Sequence, residues 1–282
     1  MLSTLLAAAQ WLVDPCGGMM RRRYEEMTTT EMSAEGASLA DAVAVVPIAA
    51  IEQHGPHLPL GTDAILADAM VDAVIARLPE DRPVTFLPTL RIGKSCEHAA
   101  FPGTLSHEWQ TATSALIEVG ASLAAAGFRR LVIVNAHGGN TPVMDTAALE
   151  LRRRHGLLVA TCSWLRFGYP DGLLPPEEIA SGIHGGAVET ALMLHLRPDM
   201  VRREAIAAFD SLQDELGGSA AHLRAHGRIG FGWMAQDLNP AGVVGDARLA
   251  TAEIGAAIAA HQADAFTAFL DDVLAFDPAR LA

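Results

Sequence analysis

The run from Arg129 to Ala136, RRLVIVNA, is followed without a break by His137-Gly138-Gly139-Asn140, and no other segment constrains this chain as much. Its continuous aliphatic character reads as a strand buried on both faces, the kind found in a parallel sheet covered by helices. Three further runs read the same way: 42–50 (AVAVVPIAA), 83–90 (PVTFLPTL) and 157–163 (LLVATCS). Helical patterns separate them. Thr62 is placed to cap a helix in which Ile65, Leu66, Ala69, Met70, Ala73 and Val74 recur at helical spacing, and Pro79 stops it. Ser106 is placed to cap a long helix ending at Gly127, and Thr141-Pro142 to open one that closes at Gly156. After residue 165 come a long loop, a helix near 186–196, a glycine-rich loop over 227–247 and a last helix over 251–275. This alternation predicts a three-layer α/β/α sandwich with a mostly parallel central sheet, formed by residues 41–282, with 1–40 as a peripheral extension. Ligands of such sheets sit outside the carboxyl ends of the strands, so those loops carry the functional search.

Half of the residues are hydrophobic and 19% are charged, which suits a packed core and excludes a wholly disordered chain. A formal net charge of −13 gives no long-range attraction for phosphate backbones, so nucleic acid is excluded as a partner class. The three cysteines, Cys16, Cys96 and Cys162, are widely spaced. They predict neither a disulfide framework nor a cysteine-built zinc site, and they suit a reducing cytoplasm. The apolar start of the chain lacks a basic lead and is interrupted by Gln10, unlike a signal peptide. No run reaches the roughly 20 apolar residues of a membrane span, so no membrane partner is expected.

Two strand tips are rich in metal-binding side chains. After the first strand come Glu52, His54 and, at the start of the following helix, Asp63; after the third comes His137. Glu52 and His54 are two apart, so on an extended chain they share a face. The positive end of a helix dipole keeps Asp63 ionised and able to bridge two cations. Imidazole with carboxylate is a donor set for zinc and manganese-like ions. A later segment, His184-Gly185-Gly186 through Glu189, adds one more of each.

The stretches Ile51-Glu52-Gln53-His54-Gly55-Pro56-His57-Leu58-Pro59 with Thr62-Asp63, Asn135 to Asn140, and His184-Gly185-Gly186 through Glu189-Thr190-Ala191-Leu192-Met193 resemble, in order, three motifs of the creatininase family. Glu97-His98 with Phe101-Pro102-Gly103-Thr104 also looks like family members, and the resemblance covers most of residues 43–260. It implies an α/β/α fold, two divalent metals per chain (zinc first, manganese or iron as alternatives) and a homo-oligomer, often a hexamer. Carried over by motif, Glu52 and His137 bind one metal, His54 the other, and Asp63 bridges them. In creatininase a glutamate two places after the second-motif histidine is the last ligand. Here that place is Gly139, a departure that puts creatinine in doubt as substrate; Glu189 is the best substitute, either as a direct ligand or as a residue that orients one. The family also holds a formamide deformylase, a peptidase that trims a mycofactocin precursor and enzymes that open cyclic compounds. The expected activity is therefore hydrolysis of a carbon–nitrogen bond, other than an ordinary peptide bond, in a small molecule.

In that reading metal-activated water attacks the carbonyl, and His184 donates or shuttles the proton to the leaving nitrogen. Glu97 and His98 touch substrate from an irregular loop or pair with each other or with a neighbouring subunit, and Trp164 or Trp233 walls a planar substrate. Two rivals remain: a cysteine hydrolase using Cys96 and His98, and a non-catalytic small-ligand binder. No G-x-S-x-G elbow is present.

Overall fold

A computed structural model describes residues 20–281; Cys16 and the apolar start of the chain lie outside them. Strands β1 (Val43–Ile48), β2 (Val84–Phe86), β3 (Arg130–Asn135) and β4 (Leu158–Ser163) form one sheet in the order β2-β1-β3-β4. Every pairing in it is parallel. Alternate residues point to opposite faces, and the two cores divide accordingly. Val43, Val45, Val132 and Val134 face one core, and Ala44, Val46, Leu131 and Ile133 face the other.

The helices in chain order are α1 (Thr29–Glu35), α2 (Thr62–Ile75), α3 (Trp109–Ala126), α4 (Thr141–His155), α5 (Pro176–Ser181), α6 (Ala187–Leu196), α7 (Leu212–Ser219), α8 (Ala235–Leu238) and α9 (Ala252–Ala275). Residues of α2, α6 and α9 fill the first core, and residues of α3 and α4 the second. The result is the three-layer α/β/α arrangement. A small antiparallel pair, β5 (Ala208–Phe209) and β6 (Gly245–Asp246), lies outside the main sheet.

Several local features differ from expectation for identifiable reasons. The second strand is shorter than 83–90. Pro88 has no N–H to give to the ladder, and pairing resumes only as a bridge between Leu90 and Ile48. Thr62 is the first residue of α2 and not its cap; its hydroxyl donates to Pro59 O at 2.7 Å. Ser106 lies before the cap of α3, and its oxygen accepts the Ser95 N–H at 2.8 Å. Thr141 is likewise inside α4, and the residue before it, Asn140, uses its side chain on the site described below. Gly127 and Gly156 end α3 and α4 at positive φ, as expected. In the 20–40 segment, Arg22 donates to the carbonyls of Arg82 and Val84, and Leu39 is buried in the second core. Among the described residues no helix is long and apolar enough to cross a membrane.

The order β2-β1-β3-β4 creates one topological switch point. From β1 the chain crosses to β2 on one side and later returns as β3 on the other. The carboxyl ends of β1 and β3, paired through Ile48 and Asn135, therefore open a crevice.

Candidate metal centre

Both tips at that crevice turn inward. After β1, the Glu52 N–H donates to Leu60 O at 2.9 Å and folds the loop back, burying Glu52, Gln53, His54 and His57. After β3, Asn135 accepts the His137 N–H at 2.9 Å and so aims His137 into the crevice. Asn140 fastens a third segment: its side chain accepts the Lys94 N–H at 2.9 Å and donates to Ala49 O at 3.0 Å. The loop after β2 is thereby drawn over the site, bringing Ser95, Glu97 and His98 with it. A backbone bridge between His184 and Val244 closes the fourth side.

The ligand atoms of Glu52, Asp63 and His137 lie within 4.8 Å of one another, as do those of His54, Asp63 and Glu189, and those of Glu52, His54 and His184. Asp63, in the first turn of α2, stands between His54 Nε2 at 3.2 Å and His137 Nδ1 at 3.6 Å. Glu189, in the first turn of α6, accepts the Gly185 N–H at 2.5 Å and lies 4.0 Å from His54. All five expected ligands, Glu52, His54, Asp63, His137 and Glu189, are thus brought together with His184.

The electrostatics of the cluster call for cations. Burial works against the His54 imidazolium, but Asp63, Glu189 and Glu52 more than offset it and raise the ring to about 10. Burial opposes charge on His137 as well, and Glu52 and Glu97 still lift it well above its ordinary value. Burial, reinforced by Glu52 against the pull of His54, carries Asp63 up to about 6. Burial favours neutral Glu52, yet His137, His98 and His184 hold it below the usual carboxylate range. At both imidazoles the surrounding carboxylates favour positive charge in spite of burial. Glu52 Oε1 and Asp63 Oδ2 are also buried without a hydrogen-bond partner, an arrangement a bound cation relieves. The residues fit a divalent-metal site.

Backbone acceptors fix how two of the candidate ligand rings face. His54 Nδ1 lies 3.1 Å from Glu52 O, so Nε2 turns to Asp63. His137 Nε2 lies 3.0 Å from Lys94 O and 3.4 Å from Glu97 Oε1, so Nδ1 turns to Glu52 and Asp63. Orienting a ligand imidazole through its far nitrogen is a common device of metal sites. Ser95 Oγ donates to Glu52 Oε2.

Other sequence candidates take different places. Glu97 is buried beside His137 and ion-paired with Lys94 at 2.7 Å. Burial disfavours its charge, but His137 and Lys94 hold it down at about 2. A Cβ on Gly139 would lie 1.8 Å from Glu97 Oε1, so this carboxylate occupies the space a side chain at 139 would need. The His98 ring lies tilted against that of His184, with centroids 4.3 Å apart, and faces Gln53 and Glu52; the Cys96 thiol is exposed. Trp164 is a correction: it packs 4.8 Å from Phe266 in the first core, not on the crevice, because the turn after β4 directs it onto α9. Trp233 is half-buried, donates to Ala225 O at 2.7 Å and packs near Val244. Lys94, Ser95 and Asn140 were not legible as site residues, since isolated polar residues in loops carry no pattern of their own.

The creatininase family, described as creatinine amidohydrolase, matches residues 25–270. A mycofactocin precursor peptide peptidase of Mycolicibacterium smegmatis is 35% identical over 221 residues, covering 77% of this chain and 79% of that protein. A creatinine amidohydrolase of Pseudomonas putida is 32% identical over 196 residues, covering 62% and 72%. Among solved structures, one described as creatininase Mn aligns with a TM-score of 0.71 at 25% identity, covering 91% of this chain and all of the other.

Proposed function

This chain belongs to the creatininase family of hydrolases, and from that footing we propose that it uses two divalent metal ions to hydrolyse an amide carbon–nitrogen bond. The observation that carries the reading is the convergence of Glu52, Asp63 and His137 beside His54, Asp63 and Glu189, with carboxylate oxygens of Glu52 and Asp63 left unpartnered. Glu52 and His137 would hold one ion, His54 and Glu189 the other, and Asp63 both. Bound there, zinc, manganese or iron supplies a polarised carbonyl and a water whose proton is easily lost.

The chain's own residues do the remainder. His184 Nε2 is anchored 2.7 Å from Gln53 O, which leaves Nδ1, 3.6 Å from Glu52, as the atom able to take the proton of the attacking water. Burial and the nearby His54 keep this ring neutral and ready to accept. Water oxygen adds to the carbonyl carbon, the C–N bond breaks, and the proton passes from His184 to the leaving nitrogen. Loop 91–105 and the segment around Val244 exclude bulk water from a cluster whose members are all buried.

Two observations bear on substrate. The 35% identity to a precursor peptide peptidase favours an amide bond in a peptide. The burial of the cluster favours a small or narrow substrate, such as a cyclic amide or formamide. A peptide terminus meets both, and we take it as the leading class. Metal analysis of pure protein tests the core of the reading. We expect close to two ions per chain and loss of both in Asp63→Ala. Full turnover of peptide and cyclic-amide panels after exhaustive chelation would remove it.

A further inference from the structure

We propose that Gln53 is a positioning residue that locks His98 and His184 in opposite tautomers, so that the bound amide meets one N–H, from His98 Nε2, and one lone pair, at His184 Nδ1. The geometry of the lock is independent of the amide-hydrolase reading; its consequence for turnover rests on that reading.

The assignment follows from groups whose hydrogen-bonding roles are not in question. The Gly55 backbone N–H can only donate, and it donates to Gln53 Oε1 at 2.9 Å. That identifies Nε2 as the amide nitrogen, with two hydrogens to place. One goes to Gly242 O, which can only accept, at 2.9 Å. The candidates for the other are His98 Nδ1 at 2.8 Å and His184 Nε2 at 3.1 Å. His184 Nε2 also lies 2.7 Å from Gln53 O, a pure acceptor, so that nitrogen carries its own hydrogen and cannot accept another. The second amide hydrogen therefore goes to His98 Nδ1. A neutral His98 then bears its hydrogen on Nε2, and a neutral His184 has its lone pair on Nδ1.

Both free positions face the cluster. His98 Nε2 lies 3.5 Å and His184 Nδ1 3.6 Å from the same atom, Glu52 Oε1. At 3.5 Å the His98 N–H is too far from that oxygen for a full hydrogen bond, so its donor capacity stays available. Packing holds the amide in place: Gly242 has a φ of 75°, and a Cβ there would lie 2.4 Å from Gln53 Oε1. Because its Nδ1 accepts the Gln53 hydrogen, the His98 ring carries only the one hydrogen on Nε2 and is neutral. A neutral imidazole N–H polarises a carbonyl oxygen without first acquiring a proton. His98 would thus donate to the amide oxygen as charge develops there, while His184 receives the proton of water.

The test is a long-range proton–nitrogen correlation spectrum of [15N]histidine-labelled, zinc-loaded protein, with signals assigned by their loss in His98→Asn and His184→Asn. We expect His98 as the Nε2–H tautomer. Gln53→Glu can only accept, so it should convert His98 to Nδ1–H. With zinc content unchanged, kcat should fall by about 100-fold, the scale of losing one preorganised donor, while KM holds. Gln53→Met, which has no donor and no charge, covers the case in which the buried carboxylate prevents folding; it should give mixed His98 tautomers. The proposal is overturned by Nδ1–H or a zinc-bound Nε2 at His98 in the wild type. It is equally overturned by an Nε2–H signal that persists in both variants, or by a tautomer change with kcat intact. An expected spectrum from a protein that turns over no amide would sink the hydrolase reading and leave the lock standing.

Discussion

Gly139→Ala places one methyl group where the structure has no room for it. The new Cβ would lie 1.8 Å from Glu97 Oε1 and 2.4 Å from His137 Nε2. An ordinary contact requires the carboxylate to retreat by well over an ångström and the ring by about one. Neither is free to do so: Glu97 is buried and tied to Lys94 at 2.7 Å, and His137 is held through Lys94 O at 3.0 Å. Overpacking of this kind costs about 1–3 kcal/mol. Opposing it, removing a glycine restricts the unfolded chain and stabilises by about 0.4–1 kcal/mol where the backbone tolerates a side chain. Gly139 does not have a positive φ, so that gain is available, but the clash exceeds it. The strain falls on the outer face of the His137 ring; if that ring binds metal as proposed, loss of its orientation should lower metal affinity by about 10–100-fold. The neighbouring position is the control. Gly138 also lacks a positive φ and has nothing within 4 Å of its Cβ, so Gly138→Ala should be neutral or slightly stabilising. Denaturant melts and competition for zinc against a chromophoric chelator measure both quantities. Equal stability and equal zinc affinity in the two variants would refute the claim that Glu97 is seated in the space of the missing side chain.

Gly255→Ala should destabilise by about 1–3 kcal/mol in denaturant melts although alanine favours helix, because its Cβ would lie 2.0 Å from Ala191 O where α9 meets α6; a gain in stability would show that the helices separate freely. Cys96 should react with a thiol reagent in native protein while Cys162, buried and pushed up to about 12, does not, and Cys96→Ser should keep its turnover; an inactive Cys96→Ser would revive the cysteine-hydrolase rival. In metal-free protein, the folded state holds His98 neutral down to about 3, against an ordinary value of 6.5. Between those values the unfolded chain binds a proton that the folded chain does not, so this residue makes stability fall as pH falls. His98→Asn should therefore lose stability less steeply than wild type over that window, by up to about 1.4 kcal/mol per pH unit, and coincident slopes would contradict a neutral His98.

The layers of the fold were legible because they follow from local rules. Four aliphatic runs, three long helical patterns and the positive-φ glycines at 127 and 156 are sufficient to order the chain. The caps at Thr62, Ser106 and Thr141 were misplaced by one or two residues, since a hydroxyl near a helix start has several partners to choose from and tertiary contacts decide among them. At the site, the clustered carboxylates and imidazoles were legible because strand tips carry them in compact groups. What surrounds them was legible only in part: Glu97 and His98 stood out, but Lys94 and Ser95 did not, and they are held at the cluster by Asn140, far along the chain, which grips the Lys94 N–H. Trp164 follows a strand tip just as His137 does, yet one faces the core and the other the crevice, a difference set by the turn each enters.

The departure at Gly139 shows the same limit from the other side. In sequence it reads as the loss of a carboxylate from the second motif. In space the region is not short of carboxylates, because Glu97 stands against Gly139 on the far side of His137 and Glu189 joins His54 and Asp63. The positions are not equivalent. Glu97 touches the outer nitrogen of His137 and can act on a bound ion only through that ring, whereas Glu189 shares a set of converging atoms with His54 and Asp63. Gly139 clears the seat of the carboxylate beside His137, and the cluster of His54 and Asp63 draws its further carboxylate, Glu189, from α6. A side chain restored at 139 would have to displace Glu97 before it could approach the cluster, so the composition of this site is a property of two loops and one helix together, not of any single motif.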